Sequence, residues 1–495
     1  MLSPSGAGLD GIDAATRRVA GTVVLGGIMT SIDTTVVNVA LDALTRDFGA
    51  SVRDVQWVAT GYLLALAIVI PLSGWATDRF GGKRVWIVSI GLFLAGSMLA
   101  GAAWSLGSLI AFRILQGLGG GMITPVGMTL LTRAAGRARV GRVMGVLGVQ
   151  QLLGPVLGPV IGGLLVEHVG WRWIFYVNVP IAALAILAAA RFLPRAVPEP
   201  SDRLDARGFL LLSPGIAALV YGLAGMSESG GIATPRTLVP ILLGVALVTG
   251  FVLHARRIRN ALIDVRLFLQ RPFAAAVATT FCIGMGLFGA LFLLPLYYQR
   301  VRGQSPLDAG LLLAPQGVGA AMMMPFAGRL TDRIGPGRIV IAGLALVVVS
   351  TLPFTITGAS TPYPLLALAL VVRGIGLGAA TMPAMAGAYA SLDEAAVARA
   401  ASVLNVMKRL GGSVGVAMLA VVLERHIPGA ADAVSERAAP TTAVADAFAR
   451  TFWWVLAFCA LALIPAAFLP RRPAVGAAPV ADRRHLHLHA LTEHG

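Results

Sequence analysis

The chain has 495 residues, 57% of them hydrophobic and 13% charged, with a mean hydropathy of +0.81. A soluble protein carries roughly twice that charged fraction, so a water-soluble enzyme or binding domain is excluded and a bilayer is implied. The net charge of +16 does not point to nucleic acid, because the basic residues fall in short clusters between apolar runs, where they report orientation in a membrane.

Residues 1–18 read as a polar tail ending in Arg17-Arg18. The segment behind it is too long, and too polar at its centre, for a cleaved signal peptide, so it reads as a retained first span. About twenty apolar residues cross a bilayer as a helix. Fourteen runs qualify, at 19–43, 55–76, 85–103, 106–131, 142–166, 173–193, 208–226, 237–255, 272–298, 307–329, 339–358, 363–391, 400–424 and 450–469. The run at 272–298 is long enough to hold a bend. With the N-terminus inside, 26 arginines and lysines fall in inside loops and tails and 9 in outside loops, which favours both ends in the cytoplasm.

The first span contains "SIDTTVVNVAL", Ser31 to Leu41, with Asp33 near its middle. Asp33 shares a helical face with Thr30 and Val37, and more loosely with Thr34 and Leu41. It is the one acid of 23 that falls deep in a span. Desolvation there disfavours the charged form, and a nearby cation such as Arg113 favours it. A carboxyl balanced in this way can gain and lose a proton near neutral pH, or bind a cation.

After the second span comes "GWATDRFGGKR", Gly74 to Arg84, a tight loop in which Asp78 can pair with arginines at neighbouring helix ends. The fourth span holds Arg113, which in lipid is expected to face the bundle interior and be paired. Gln116 and Gly117 share its face. In the fifth span "LGPVLGPVIGG" sets Gly154, Gly158 and Gly162 four apart, a small-residue stripe suited to close helix contact. Pro155 and Pro159 repeat at the same interval and invite a kink. The linker "PRAVPEPSDRLDARG", Pro194 to Gly208, marks the end of a first unit.

A second unit repeats the first. "GRLTDRIGPGR", with Asp332, Arg333 and Arg338, follows the tenth span, and a glycine-rich span start follows each copy, at Gln116 to Pro125 and Arg373 to Pro383. Two copies of a multi-span unit are a transporter signature. Matching them leaves spans seven and eight as an inserted pair, so the expected architecture is an all-α membrane protein of fourteen helices in a six-plus-two-plus-six arrangement. Its parts are an N-terminal tail (1–18), a first six-helix bundle (19–193), a linker with the inserted pair (194–271), a second bundle (272–469) and a C-terminal tail (470–495). Lys408 and Arg409 lie near the start of span thirteen and read as snorkelling cations. The histidine-bearing tail "RRHLHLHALTEHG" reads as solvated.

Other chemistries lack their signatures. Cys282 and Cys459 sit in apolar runs and imply neither a disulfide framework nor a metal site. No G-x-x-x-x-G-K-[ST] loop and no H-E-x-x-H motif occurs, and the glycines at Gly117 to Gly121 lie inside a span. No cofactor, metal or nucleic acid is expected.

Together these residues resemble the major facilitator superfamily, and within it the fourteen-span drug:proton antiporters, over roughly 17–470. The first-span pattern appears with Asp33, Thr34, Val37, Asn38 and Ala40. The loop pattern appears as Gly74, Asp78, Arg79, Gly81 and Arg84, and the fourth-span arginine with Gln116 and Gly117. The antiporter motif appears as Gly154, Pro155, Gly158, Pro159, Gly162 and Gly163, and "WRWIFYVNVP", Trp171 to Pro180, is similar to the start of the sixth span in this branch. Asp42 stands where the first-span pattern usually has proline.

The resemblance implies a proton-driven antiporter that exports amphipathic drugs or toxic small molecules by alternating access, working as a monomer in a cytoplasmic membrane. Alanine-, arginine- and glycine-rich usage points to a bacterium. Asp33 would carry the proton and Arg113 would tune its affinity. Thr34, Asn38, Gln116 and Gln150 are the candidates for lining the substrate cavity. The second half lacks deep acids, with Asp308 and Glu424 only near span ends, which favours monocationic, zwitterionic or neutral substrates. Rival readings are a nutrient facilitator or symporter of the same fold and a non-transporting membrane sensor; a membrane enzyme is remote, since no nucleophile–base pair can be assembled.

Overall fold

The computed structural model describes residues 13–136, 139–194, 203–228, 234–258, 261–390, 392, 394–426 and 441–471. They form helices joined by short turns, with no strand among them. Hydrocarbon offers backbone groups no partner, so a chain this apolar satisfies them within helices.

The first half runs α1 (Ala14–Phe48), α2 (Val52–Val69), α3 (Leu72–Phe80), α4 (Gly82–Gly101), α5 (Leu106–Ala135), α6 (Val140–His168), α7 (Trp173–Tyr176) and α8 (Asn178–Phe192). Then come α9 (Ala206–Glu228) and α10 (Pro235–Arg257). The second half is α11 (Arg271–Arg300), α12 (Pro306–Leu311), α13 (Ala314–Ile334), α14 (Pro336–Thr351), α15 (Tyr363–Ala390), α16 (Glu394–His426), α17 (Thr441–Leu461) and α18 (Leu463–Ala466).

Among the described residues twelve helices are long and apolar enough to cross a membrane, or thirteen with α2 and α3 taken as one span bent by 56°. Pro71 stands at that bend, where its missing N–H and its ring interrupt the helical ladder. The run at 142–166 stands apart from those thirteen and is helical as α6. The long run at 272–298 is one helix, α11. The last run starts earlier than apolarity alone indicated, at Thr441.

The two loop motifs end their helices alike. Gly81 and Gly335 both take positive φ, 81° and 88°, and each donates its N–H back, to Thr77 O and Thr331 O. A side chain would strain that turn, which is why each copy has glycine there. The first and last described residues lie at one face of the bundle. Thr16 Oγ1 donates to Ala134 O at the end of α5, and Gly337 N, at the α13–α14 turn, donates to Pro470 O. The backbone N–H of Arg142 donates to Asp332 Oδ2 on the same face, from the first half to the second.

Small residues set the closest helix approaches, as expected where lipid gives no hydrophobic drive for association. The α6 stripe seats on α1: a Cβ at Gly154 would strike Ser31, one at Gly158 would strike Thr35 Oγ1, and one at Gly162 would come 2.9 Å from Val36. Thr35 Oγ1 also donates to Gly154 O across the contact. Gly163 faces elsewhere, with Leu307 at an ordinary 3.7 Å. α9 and α10 pack on each other through Gly215, Gly222 and Gly244, and α9 bridges the halves, with Tyr221 stacked on Trp57 of α2 and Met226 packed with Ala417 and Val421 of α16.

Gly158→Ala is therefore expected to destabilise the protein by about 1–3 kcal/mol through overpacking, while Gly163→Ala leaves stability nearly unchanged. Thermal unfolding of the two variants side by side checks this.

Candidate functional site

Five helical segments converge on Asp33. α1 carries the carboxylate, which is fully buried, and α5 brings Arg113, 1% exposed. Arg113 Nη1 meets Asp33 Oδ2 at 2.7 Å. The other oxygen, Oδ1, accepts from Gln116 Nε2 at 2.8 Å and from Asn178 Nδ2 at 3.0 Å. Asn178 opens α8 and also donates to Ser97 Oγ of α4, whose hydroxyl donates to Phe175 O. Arg113 spends its other donors on Gln116 Oε1 at 2.6 Å and, through Nε, on Val58 O of α2 at 3.2 Å. Its guanidinium carbon lies 4.0 Å from the Tyr62 ring centroid and 5.6 Å from that of Phe175.

The backbone makes this closure possible. A Cβ at Gly96 would come 2.5 Å from Gln116 N, and one at Gly117 would come 2.6 Å from Tyr62 O. Glycine lets α4 and α2 press against α5 from either side, which brings Ser97, Val58 and Tyr62 within reach of the pair. A buried ion pair gains little unless its remaining lone pairs and protons are satisfied, and removing one partner strands the other at a cost of about 3–5 kcal/mol. Here the amides of Gln116 and Asn178 supply those bonds.

The fold brings together Asp33, Arg113 and Gln116; Gln116, a candidate for the substrate cavity in the sequence, is fully buried against the ion pair. Thr34 differs: its hydroxyl donates to Thr30 O of its own helix, at 2.7 Å. The side chains of Asn38 and Gln150, and those of Pro155 and Pro159, lie outside the described residues. Asn178, Ser97 and Tyr62 went unassigned. Asn178 had a signal, as a polar residue in an apolar run within "WRWIFYVNVP".

The loop-motif residues sit at the face that carries the first and last described residues. Asp78 Oδ1 accepts from Arg133 Nη2 at 3.0 Å. Asp332 Oδ2 lies 3.9 Å from Arg142 Nε. Arg79, Arg84 and Arg333 are exposed. Gly74 lets α3 approach the second half, where a Cβ would come 3.2 Å from the backbone of Arg399, and Ser73 Oγ is 2.8 Å from Ser402 Oγ.

The second unit repeats the buried arginine without the acid. Arg373 of α15 donates to Gln316 Oε1 at 2.6 Å and to Gly286 O at 3.0 Å. No group of three or more His, Cys, Asp and Glu side chains suited to a metal occurs among the described residues.

The profile of the Major Facilitator Superfamily matches residues 23–416. The chain belongs to the major facilitator superfamily. It is therefore a multi-pass membrane transporter and not an enzyme. A "Multidrug resistance protein B homolog" of Mycobacterium tuberculosis is 39% identical over 94% of this chain and 92% of its own length. A "Putative multidrug resistance protein MdtD" of Salmonella paratyphi B is 33% identical over 83% of this chain and 88% of its own length. In fold, the chain is similar to the crystal structure of the human organic anion transporter MFSD10 (TETRAN), with a TM-score of 0.63 and 18% identity over 92% of this chain and 99% of that one.

Asn178→Leu, which keeps the size but removes both donors, is expected to cost about 1–3 kcal/mol by leaving Asp33 and Ser97 short of partners. Thr34→Val, whose hydroxyl donates to Thr30 O of its own helix, is expected to change little. Unfolding temperatures of the two variants in one detergent check the contrast.

Proposed function

We propose that this transporter is a proton-coupled antiporter that exports amphipathic drugs or toxic small molecules across a bacterial cytoplasmic membrane. Two six-helix bundles, α1–α8 and α11–α18, alternate access to a site between them, α9 and α10 are the inserted pair, and α6 is the fourteenth span. The observation that carries this reading is the buried Asp33–Arg113 pair in the first bundle, with both carboxylate oxygens hydrogen-bonded. An ionisable residue held inside a membrane protein is a functional group by default.

The geometry supports a protonation cycle. When Asp33 takes a proton, Arg113 loses its counter-ion but keeps the Gln116 Oε1 and Val58 O acceptors. The neutral carboxyl then needs an acceptor for its own O–H. Asn178 Oδ1 is buried beside it without a hydrogen-bond partner. Protonation thus exchanges one bonded arrangement for another and leaves the buried Arg113 charge with neutral acceptors only. The α6 stripe lies against the turn of α1 that holds Asp33, which gives a route from that carboxyl to the packing of the first bundle. Gly163 packs toward α12, and Pro155 and Pro159 belong to the same α6 motif.

The contacts that join the halves at the face carrying the first and last described residues are Arg142 with Asp332, Ser73 with Ser402 and Gly74 with Arg399. Opening that face requires them to part. The excess of basic residues in the loops assigned to it supports a cytoplasmic position for that face. The names of the bacterial relatives, multidrug resistance proteins, agree with drug export. The energy source is the proton gradient, with no cofactor, and the monomer is complete.

Proteoliposomes carrying an imposed pH gradient test this reading. Flux of an amphipathic substrate is expected to follow the gradient in the wild type and to lose that dependence in Asp33→Asn, while exchange of bound substrate survives. Gradient-driven flux of equal size in both proteins would refute the role given to Asp33.

A further inference from the structure

The interior has more cations than acids. Among the described residues the buried acids are Asp33 and Asp78, and Asp78 meets Arg133 at the face with the first and last described residues. The buried cations are Arg113, Arg373 and Lys408, with Arg409 half-buried beside Lys408. Arg113 takes Asp33, and Arg373 is held by an amide oxygen and a carbonyl, both neutral. Among the described residues, four cations and one carboxylate therefore lie inside the bundle away from that face.

Lys408 and Arg409 are not snorkelling cations at a helix end. α16 begins at Glu394, which leaves about 20 Å of helix between that end and Lys408, and more beyond it to His426. The expectation failed because the apolar run starts at 400 while the helix starts earlier, so the span's middle was misjudged.

Position along α16 fixes where Arg409 points. Ser402, Asn405 and Arg409 follow at intervals of three and four and share one face. Ser402 touches Ser73 of α3, and Asn405 Nδ2 lies 3.4 Å from Met128 Sδ of α5, so this face is turned to the first half. Arg409, further along it, interacts electrostatically with Tyr62 of α2. Tyr62 is the ring that lies over Arg113. Arg409 thus lies on the α16 face that is turned to the first half. Lys408 packs its backbone on Gly284 of α11 and adds its charge next to Arg409.

We propose that Arg409, with Lys408 beside it, binds an oxyanion on the transported molecule, so that the substrate is an amphipath carrying a carboxylate, sulfonate or phosphate rather than a lipophilic cation. This rests on the export reading above and replaces its expectation about substrate charge. An arginine in a seam can offer two parallel N–H donors to an oxyanion. Tyr62 supplies an aromatic surface for the apolar part. A lipophilic cation entering the same seam meets like charge from Arg409, Lys408 and Arg113. Export of a monoanion in exchange for an inward proton also moves positive charge inward on both legs, so the membrane potential assists it, whereas a monocation exchanged for a proton gains nothing from the potential.

The test is equilibrium binding to the purified full-length protein in lipid nanodiscs. The anionic probes are fluorescein and anilinonaphthalene sulfonate, and the cationic probes are ethidium and tetraphenylphosphonium. An anionic probe is expected to bind the wild type roughly tenfold more tightly than either cation, and to lose roughly tenfold in Arg409→Ala and Arg409→Gln. Arg409→Lys should lose less affinity than Arg409→Ala, since the charge remains while the fork is lost. Thermal unfolding selects the variants that fold. The proposal is overturned if neither anion binds, if a cation binds more tightly than both anions, or if the anion's affinity is the same with and without Arg409. Failure here is separable from failure of the export reading. Proton-driven flux of ethidium with no Arg409-dependent anion binding keeps the antiporter and removes the anion site. Arg409-dependent anion binding without proton-driven flux does the reverse.

Discussion

An ion pair removed from water governs the first half of this transporter. The idealised cost of taking either Asp33 or Arg113 out of water is on the order of 20 kcal/mol, so neither tolerates the interior alone. Every neighbouring element is arranged around that debt. α2 brings a carbonyl and an aromatic face, α5 the amide of Gln116, and α8 the amide of Asn178, which Ser97 of α4 holds in turn. Each of these groups serves two partners or offers one to spare. A pair supported this way has bonding partners to exchange when its protonation state changes. That property suits a coupling site better than a structural cross-link.

The same closeness ties the pair to global shape. Glycines let α4 and α2 reach α5, and the α6 stripe lets α6 reach α1 next to Asp33. α6 in turn meets the second half: Gly145 and Gly148 lie against Met324 of α13, and Arg142 reaches Asp332. A change in bonding at Asp33 therefore has a short packed path to the seam along which the halves part. α9 lies along the lateral side of that seam, against α2 and α16.

How much of this was legible in the sequence follows from what apolarity records. One acid inside an apolar run, and one arginine inside another, stand out because lipid makes them costly, so Asp33 and Arg113 were visible without a structure. Gln116 followed from sharing a helical face. Asn178 showed only as a polar residue in an apolar run and Ser97 not at all, since an uncharged amide or hydroxyl near a span end is ordinary, and only the register of α4 and α8 against α1 gives them a partner. Hydropathy also marks where lipid touches the chain, not where a helix begins. That is why Pro71 was read inside a straight span, why the last helix begins at Thr441 rather than at 450, and why Lys408 and Arg409 were placed at an end instead of in the middle. The repeat was legible in its loops, where Gly81 and Gly335 need the same backbone, but its asymmetry emerged from geometry: Arg373 copies Arg113 and has a neutral setting in place of an acid.

The central claim is that Asp33 itself changes protonation state inside the protein. Infrared difference spectroscopy of the reconstituted transporter, taken as the pH is lowered, reads this directly through the carbonyl stretch of a carboxylic acid. The account predicts a band that grows on acidification and is missing from Asp33→Asn. A band of equal size in that variant, or none at any pH at which the wild type transports, would contradict it.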